Sequence, residues 1–182
     1  MNVAMMTRTA LMAAVTVVAA QIAIPLPFSP IPFTLQVLAV ILTGFLLGPG
    51  YGALAQAIYV LIGAVGVPVF AQFSGGLGKV LGPTGGYLLS YPLAAAIAGL
   101  AAHAAVNAAR RRALWASFLW GCAGLAVIYM FGATWLAVVT QLPFAAALAQ
   151  GVLPFVPFDL IKVALAALVA IASAPAIASS RA

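Results

Sequence analysis

Only eight of the 182 residues are Lys, Arg, Asp or Glu. That is 4% of the chain, against about 25% in an ordinary soluble domain. A water-facing surface cannot be assembled from so few charges. Disorder is excluded too, because it requires low hydrophobicity and 66% of this chain is hydrophobic. Lipid must therefore be the solvent for most of the surface. A membrane helix takes about 20 apolar residues, so the length allows roughly five to seven spans and no separate soluble domain.

Proline and glycine divide the apolar runs. Four prolines in eight residues (Pro25, Pro27, Pro30, Pro32) end a first helix, since proline lacks an N–H and breaks helices. The stretch 25–33 then reads as an extended loop. Gly48-Pro49-Gly50 is a second strong stop. The stretch 70–86 holds six of the 17 glycines and is too broken to span. A connector over 140–157 carries Pro143, Pro154 and Pro157. The prediction is a single all-α membrane domain over 1–182 with six transmembrane helices, at about 7–24, 34–47, 51–67, 87–106, 114–139 and 158–174. Arg8 and the apolar run ending at Val18-Ala19-Ala20 share the outline of a signal peptide. The run is long enough to span, however, and a first transmembrane helix is the simpler reading.

Six spans put both termini on one side. Lys and Arg mark cytoplasmic loops. With both termini cytoplasmic, the inner face carries Arg8, Arg110, Arg111, Arg112 and Arg181, and the outer face Lys79 and Lys162. The three long Pro/Gly-rich segments (25–33, 68–86, 140–157) then all lie outside. Irregular backbone near membrane depth needs protein or a water-filled cavity to satisfy it, so these segments read as a cap over an outward-facing pocket.

Few residues can carry chemistry. The net charge of +6 comes from sparse cations between apolar runs, which is a topology signal rather than a nucleic-acid footprint. The lone Cys122 reads as a small buried thiol, and no Cys/His cluster suggests a metal. Gly75-Gly76-Leu77-Gly78-Lys79 fails as a phosphate-binding loop, because Phe73 stands where the first glycine belongs and Val80 follows the lysine. One His (His103, read as interfacial), one Asp and no Glu cannot supply an acid–base site. The chain is not read as an enzyme and needs no cofactor. What remains is Asp159, the only acidic residue, and Lys162 three positions on. They share a helix face, and each costs about 2.5–3.5 kcal/mol inside a membrane. Retaining both points to a ligand that needs an acceptor and a cation; a self-satisfying ion pair is the other reading. Small residues recur every fourth position at Ala10 and Ala14 and at Gly44, Gly48 and Gly52. That spacing lets membrane helices approach closely, for internal packing or for docking a membrane partner.

Several blocks together resemble the BioY family, the biotin-binding S components of energy-coupling factor (ECF) transporters. They are Phe33-Thr34-Leu35-Gln36-Val37, the run from Gly63 to Ala71, Gly82-Pro83-Thr84-Gly85-Gly86-Tyr87, and Asp159-Leu160-Ile161-Lys162. The resemblance implies biotin capture and uptake across the bacterial inner membrane. It makes Asp159 and Lys162 ligand contacts, with Lys162 assigned to the carboxylate of biotin and Asp159 to its ureido ring. It adds Thr84, Gly85, Gly86 and Tyr87, where glycine would admit the ligand to the backbone, and Gln36, with Phe28 and Phe33 in a lid. It implies a transmembrane coupling protein, contacted through Ala10 and Ala14, and two cytoplasmic ATPases, although some members lack that module. An Asn that some relatives carry near the glycine-rich loop is absent, leaving Gln72, Ser74 or backbone to stand in. A homo-oligomer is left open. The rival readings are an S component for another vitamin and a structural subunit without ligand.

Overall fold

The computed structural model of the protein describes residues 3–102 and 109–179. His103 and Arg181, each given a place above, lie outside the described residues. Helix α1 spans Val3–Gln21, followed by a hairpin of β1 (Ala23–Leu26) and β2 (Ser29–Thr34). Then come α2 (Gln36–Ala64), α3 (Leu77–Leu81), α4 (Gly85–Gly99), α5 (Arg110–Thr140), α6 (Phe144–Gly151) and α7 (Val156–Ser179). Four of them, α1, α2, α5 and α7, are long and apolar enough to cross a membrane. Their outward side chains are apolar, among them Leu11 and Val18 on α1, Leu119 and Met130 on α5, and Ile161 and Leu168 on α7. So much exposed apolar surface is an aggregation hazard in water, whereas in a bilayer lipid covers it.

Helix α2 is continuous in sequence but not in direction. The side chains of Gln36 and Tyr59 meet at 2.7 Å, and those of Thr43 and Gln56 at 3.2 Å. A straight helix would hold residues 36 and 59 about 35 Å apart. The chain instead folds back at Gly48, whose φ of 79° and ψ of 179° break the helix, at the Gly-Pro-Gly stop seen in the sequence. That backbone region is open essentially to glycine alone, and apart from the adjoining chain no atom lies within 4 Å of where a Cβ would stand. Gly48→Ala should therefore act through backbone strain only, costing about 1–3 kcal/mol. A lowered unfolding temperature in detergent would report it, and an unchanged one would contradict it.

The small residues serve close packing. A Cβ on Gly44 would strike the carbonyl of Ala95 on α4 and lie 2.9 Å from the nitrogen of Gly99. The core thus closes around the two halves of α2, with Ile41, Tyr59, Tyr91, Ala94, Ile128 and Val163 all buried. Cys122, expected to be buried, is a free thiol at intermediate exposure on the edge of that core.

Other segments depart from expectation. Residues 25–33 are not a loop but most of an antiparallel hairpin, pairing Ala23 with Thr34, Ile24 with Phe33 and Leu26 with Ser29. A two-stranded ribbon consists of edges, where proline is tolerated. The 140–157 connector contains α6, with Pro143 at its N-cap; proline suits a helix start as well as a stop. Helix α5 begins at Arg110, so the arginine triplet forms its first turn. Helix α7 begins at Val156 and carries Asp159 in its first turn, where a negative charge meets the positive end of the helix dipole.

Candidate ligand-binding site

The first turn of α7 brings Asp159 and Lys162 onto one face, as the i, i+3 spacing requires. Their side chains join in a 2.6 Å ion pair, only 4% and 7% exposed. The Lys162 ammonium also donates to the backbone carbonyl of Thr34 at 2.7 Å and lies 3.9 Å from the centre of the Phe33 ring. The end of the hairpin therefore holds the lysine. The other carboxylate oxygen of Asp159 accepts from the Tyr129 hydroxyl at 2.7 Å. The pair is not used up by these bonds. An ammonium has three donors and a carboxylate about four lone-pair positions, so one N–H and two lone pairs stay available.

Those groups lie in a cavity of about 800 Å³, open mouth included, at the end of the bundle where the irregular segments gather. The hairpin contributes Pro30, Ile31 and Pro32, the glycine-rich segment Phe70, Gln72 and Ser74, and the 140–157 connector Gly151 and Phe155. Tyr91 and Ile128 add apolar wall. Apolar walls with a few convergent polar groups are the usual chemistry of a small-molecule site.

The residues singled out from sequence separate here. Asp159, Lys162, Gln36, Thr84 and Tyr87 line the cavity. Gln36 is held at both ends, donating to Tyr59 at 2.7 Å and accepting from the Thr34 hydroxyl at 3.1 Å. Tyr87 donates to the carbonyl of Gly151 at 2.8 Å, fixing α4 to α6. Phe33 supports Lys162 from behind. Phe28 sits at the hairpin tip, 57% exposed and away from the cavity. Gly85 and Gly86 do not line it. A Cβ on Gly85 would strike the carbonyl of Val80, and one on Gly86 would strike Trp135 and lie 2.6 Å from the carbonyl of Phe131. Their lack of side chain lets the start of α4 pack on both α3 and α5. Ala10 and Ala14 are exposed on α1, free for a neighbour. Gln72 and Ser74, named as stand-ins for the missing Asn, do line the cavity. Tyr129 was missed. A tyrosine inside a long apolar run looks like core, and only the fold reveals the carboxylate beside it.

The BioY family model matches residues 1–179. The chain belongs to the BioY family. It is 45% identical over 161 residues to a protein of Pyrococcus horikoshii named probable biotin transporter BioY, covering 88% of this chain and 90% of that one. It is 46% identical over 162 residues to the biotin transporter BioY of Thermotoga maritima, covering 87% and 88%. Among solved structures, the S-component for biotin from an ECF-type ABC transporter superposes with a TM-score of 0.82 at 26% identity, over 93% of this chain and 89% of that one. BioY is a family of transporters rather than enzymes, and the fold agrees with that of an S component.

Proposed function

We propose that this BioY protein captures biotin from the outer side of the bacterial cytoplasmic membrane and supports its uptake as the substrate-binding component of an ECF-type transporter. The observation that carries this reading is the buried Asp159–Lys162 pair with donor and acceptor capacity to spare. A ureido ring offers two N–H donors and a carbonyl acceptor. Asp159 accepts from the ring, Lys162 donates its remaining N–H to the carbonyl, and Tyr129 keeps the carboxylate oriented. Lys162, already neutralised by Asp159, is poorly placed to answer a second full negative charge. Lys79, exposed at the cavity mouth and without a counter-ion among the described residues, suits the carboxylate of biotin better than the Lys162 assignment expected from sequence. The apolar wall of Tyr91 and Ile128 then takes the rings and tail.

In this reading α1, the two halves of α2, α4, α5 and α7 make six crossings, with both termini cytoplasmic. Arg8 and the triplet at the start of α5 lie inside, and Lys79 lies outside, as the positive-inside rule asks. A transmembrane coupling protein docks on the open Ala10 and Ala14 face of α1, and two cytoplasmic ATPases drive release of biotin inward. Uptake of labelled biotin in a transport-deficient host, with and without a co-expressed coupling module, tests the whole assembly. Accumulation above the empty-vector level is expected with the module, and none in either arm would reject the function.

Exposed charge pairs are worth about 0.2–1 kcal/mol. Lys79→Gln should therefore weaken biotin binding by no more than about fivefold and leave binding of the neutral biotin amide unchanged. An equal loss for both ligands would contradict the assignment of the carboxylate to Lys79.

A further inference from the structure

We infer that Gln21, the last residue of α1, is the positioning residue that latches the 69–74 segment over the cavity and so sets how long the ligand stays. The inference rests on the biotin reading of that cavity. The Gln21 amide reaches across from α1 to three backbone groups of the segment. Its Nε2 donates toward the carbonyls of Val69 at 3.3 Å and Phe70 at 3.2 Å, and its Oε1 accepts from the Phe73 N–H at 2.9 Å. The segment it grips is a tight loop. Phe70 N–H donates to the Ser74 carbonyl at 2.9 Å, and Gln72 and Phe73 both stand in the left-handed region, at φ 60° and 51°. Two successive non-glycine residues there need outside support to persist. Phe70, Gln72 and Ser74 of this loop line the cavity, so its position decides whether the mouth is covered.

The latch also joins the polar chain that ends at the ion pair. Val69 accepts from Tyr59 at 3.3 Å as well as from Gln21, and Tyr59 accepts from Gln36. Gln36 accepts from the Thr34 hydroxyl, and the Thr34 carbonyl accepts from Lys162. Helix α1 packs chiefly on α2, which itself contributes Gln36 and Val37 to the cavity lining, and also touches this segment and β2. A tilt of α1 is thus passed to this loop as well as to α2.

The test is the chase-out rate of tritiated biotin from the purified full-length protein, measured beside its association rate. Gln21→Met keeps the length and removes all three bonds to the segment, along with the 3.3 Å bond to the Val17 carbonyl of its own helix. It should speed dissociation about tenfold, close to one net hydrogen bond of about 1.4 kcal/mol, with association changed less than about twofold. Gln21→Glu keeps the acceptor for Phe73 and should fall between. Amide exchange at Phe70, whose N–H is not bonded to Gln21, should quicken in ligand-free Gln21→Met. A purely structural residue would lower stability without this split between the two rates. Dissociation of Gln21→Met at the parent rate, or unchanged exchange at Phe70, overturns the latch while the biotin reading stands. A parent protein that does not bind biotin overturns both. If Gln21→Met fails to accumulate, the off-rate of Gln21→Glu decides by the same criterion.

Discussion

Lys162→Met is expected to abolish measurable biotin uptake, and Asp159→Leu to do the same. Each removes a proposed ligand contact and leaves its partner charge buried. Breaking a buried pair by taking away one member costs about 3–5 kcal/mol of stability, so loss of function in a single variant has two causes. The double variant Asp159→Leu/Lys162→Met separates them. It leaves no buried charge, and replacing both members of such a pair by apolar side chains is often neutral or stabilising. Most of the stability lost in either single variant should return. Binding should not, because hydrogen bonds to charged groups are worth about 1.5–3 kcal/mol each, and losing two weakens biotin roughly a hundredfold or more. Thermal unfolding and equilibrium binding on the same preparations check both halves. A double variant that binds biotin like the parent would make the pair a structural element only.

Gly86→Ala should cost the protein its packing rather than its ligand contact. The added carbon would meet Trp135 and stand 2.6 Å from the carbonyl of Phe131. Neither neighbour yields easily, since one is helix backbone and the other is anchored by the bond from its indole N–H to the carbonyl of Gly82 at 2.9 Å. Overpacking of this kind costs about 1–3 kcal/mol and sometimes more, and it would push α4 away from α5, the two elements that carry Tyr87 and Tyr129. A marked fall in unfolding temperature of the ligand-free protein is expected. Had this glycine served to admit biotin to the backbone, the ligand-free protein would melt normally and only affinity would suffer. Differential scanning of the protein without ligand decides between the two.

Much of this architecture is legible in the residues because the bilayer imposes simple rules. Apolar length placed the long helices, and Gly48-Pro49-Gly50 placed the reversal inside α2, where only glycine tolerates the backbone. The single carboxylate and the lysine three positions later located the floor of the cavity, since membrane charges are too costly to be idle. Proline misled twice. It was read as a stop at 25–33, where it sits in a ribbon made only of edges, and at Pro143, where it opens α6. Both are permitted uses that depend on neighbours the sequence does not display. The glycines at 85 and 86 announce a close approach but not what approaches, and that proved to be the Val80 carbonyl for Gly85 and Trp135 on α5 for Gly86. Tyr129 and Gln21 carried no signal at all. Their importance lies in partners 30 to 52 positions distant, and contacts of that range belong to the fold.

A cavity floored by Asp159 and Lys162 and built for a ureido-bearing vitamin should select biotin over other vitamins. Equilibrium binding of labelled biotin to the purified protein, without any coupling module and with thiamine and riboflavin as competitors, addresses it most directly. Saturable binding below micromolar concentration that neither competitor displaces is the predicted result. No saturable binding at micromolar biotin, or displacement by either of the other vitamins, would contradict it.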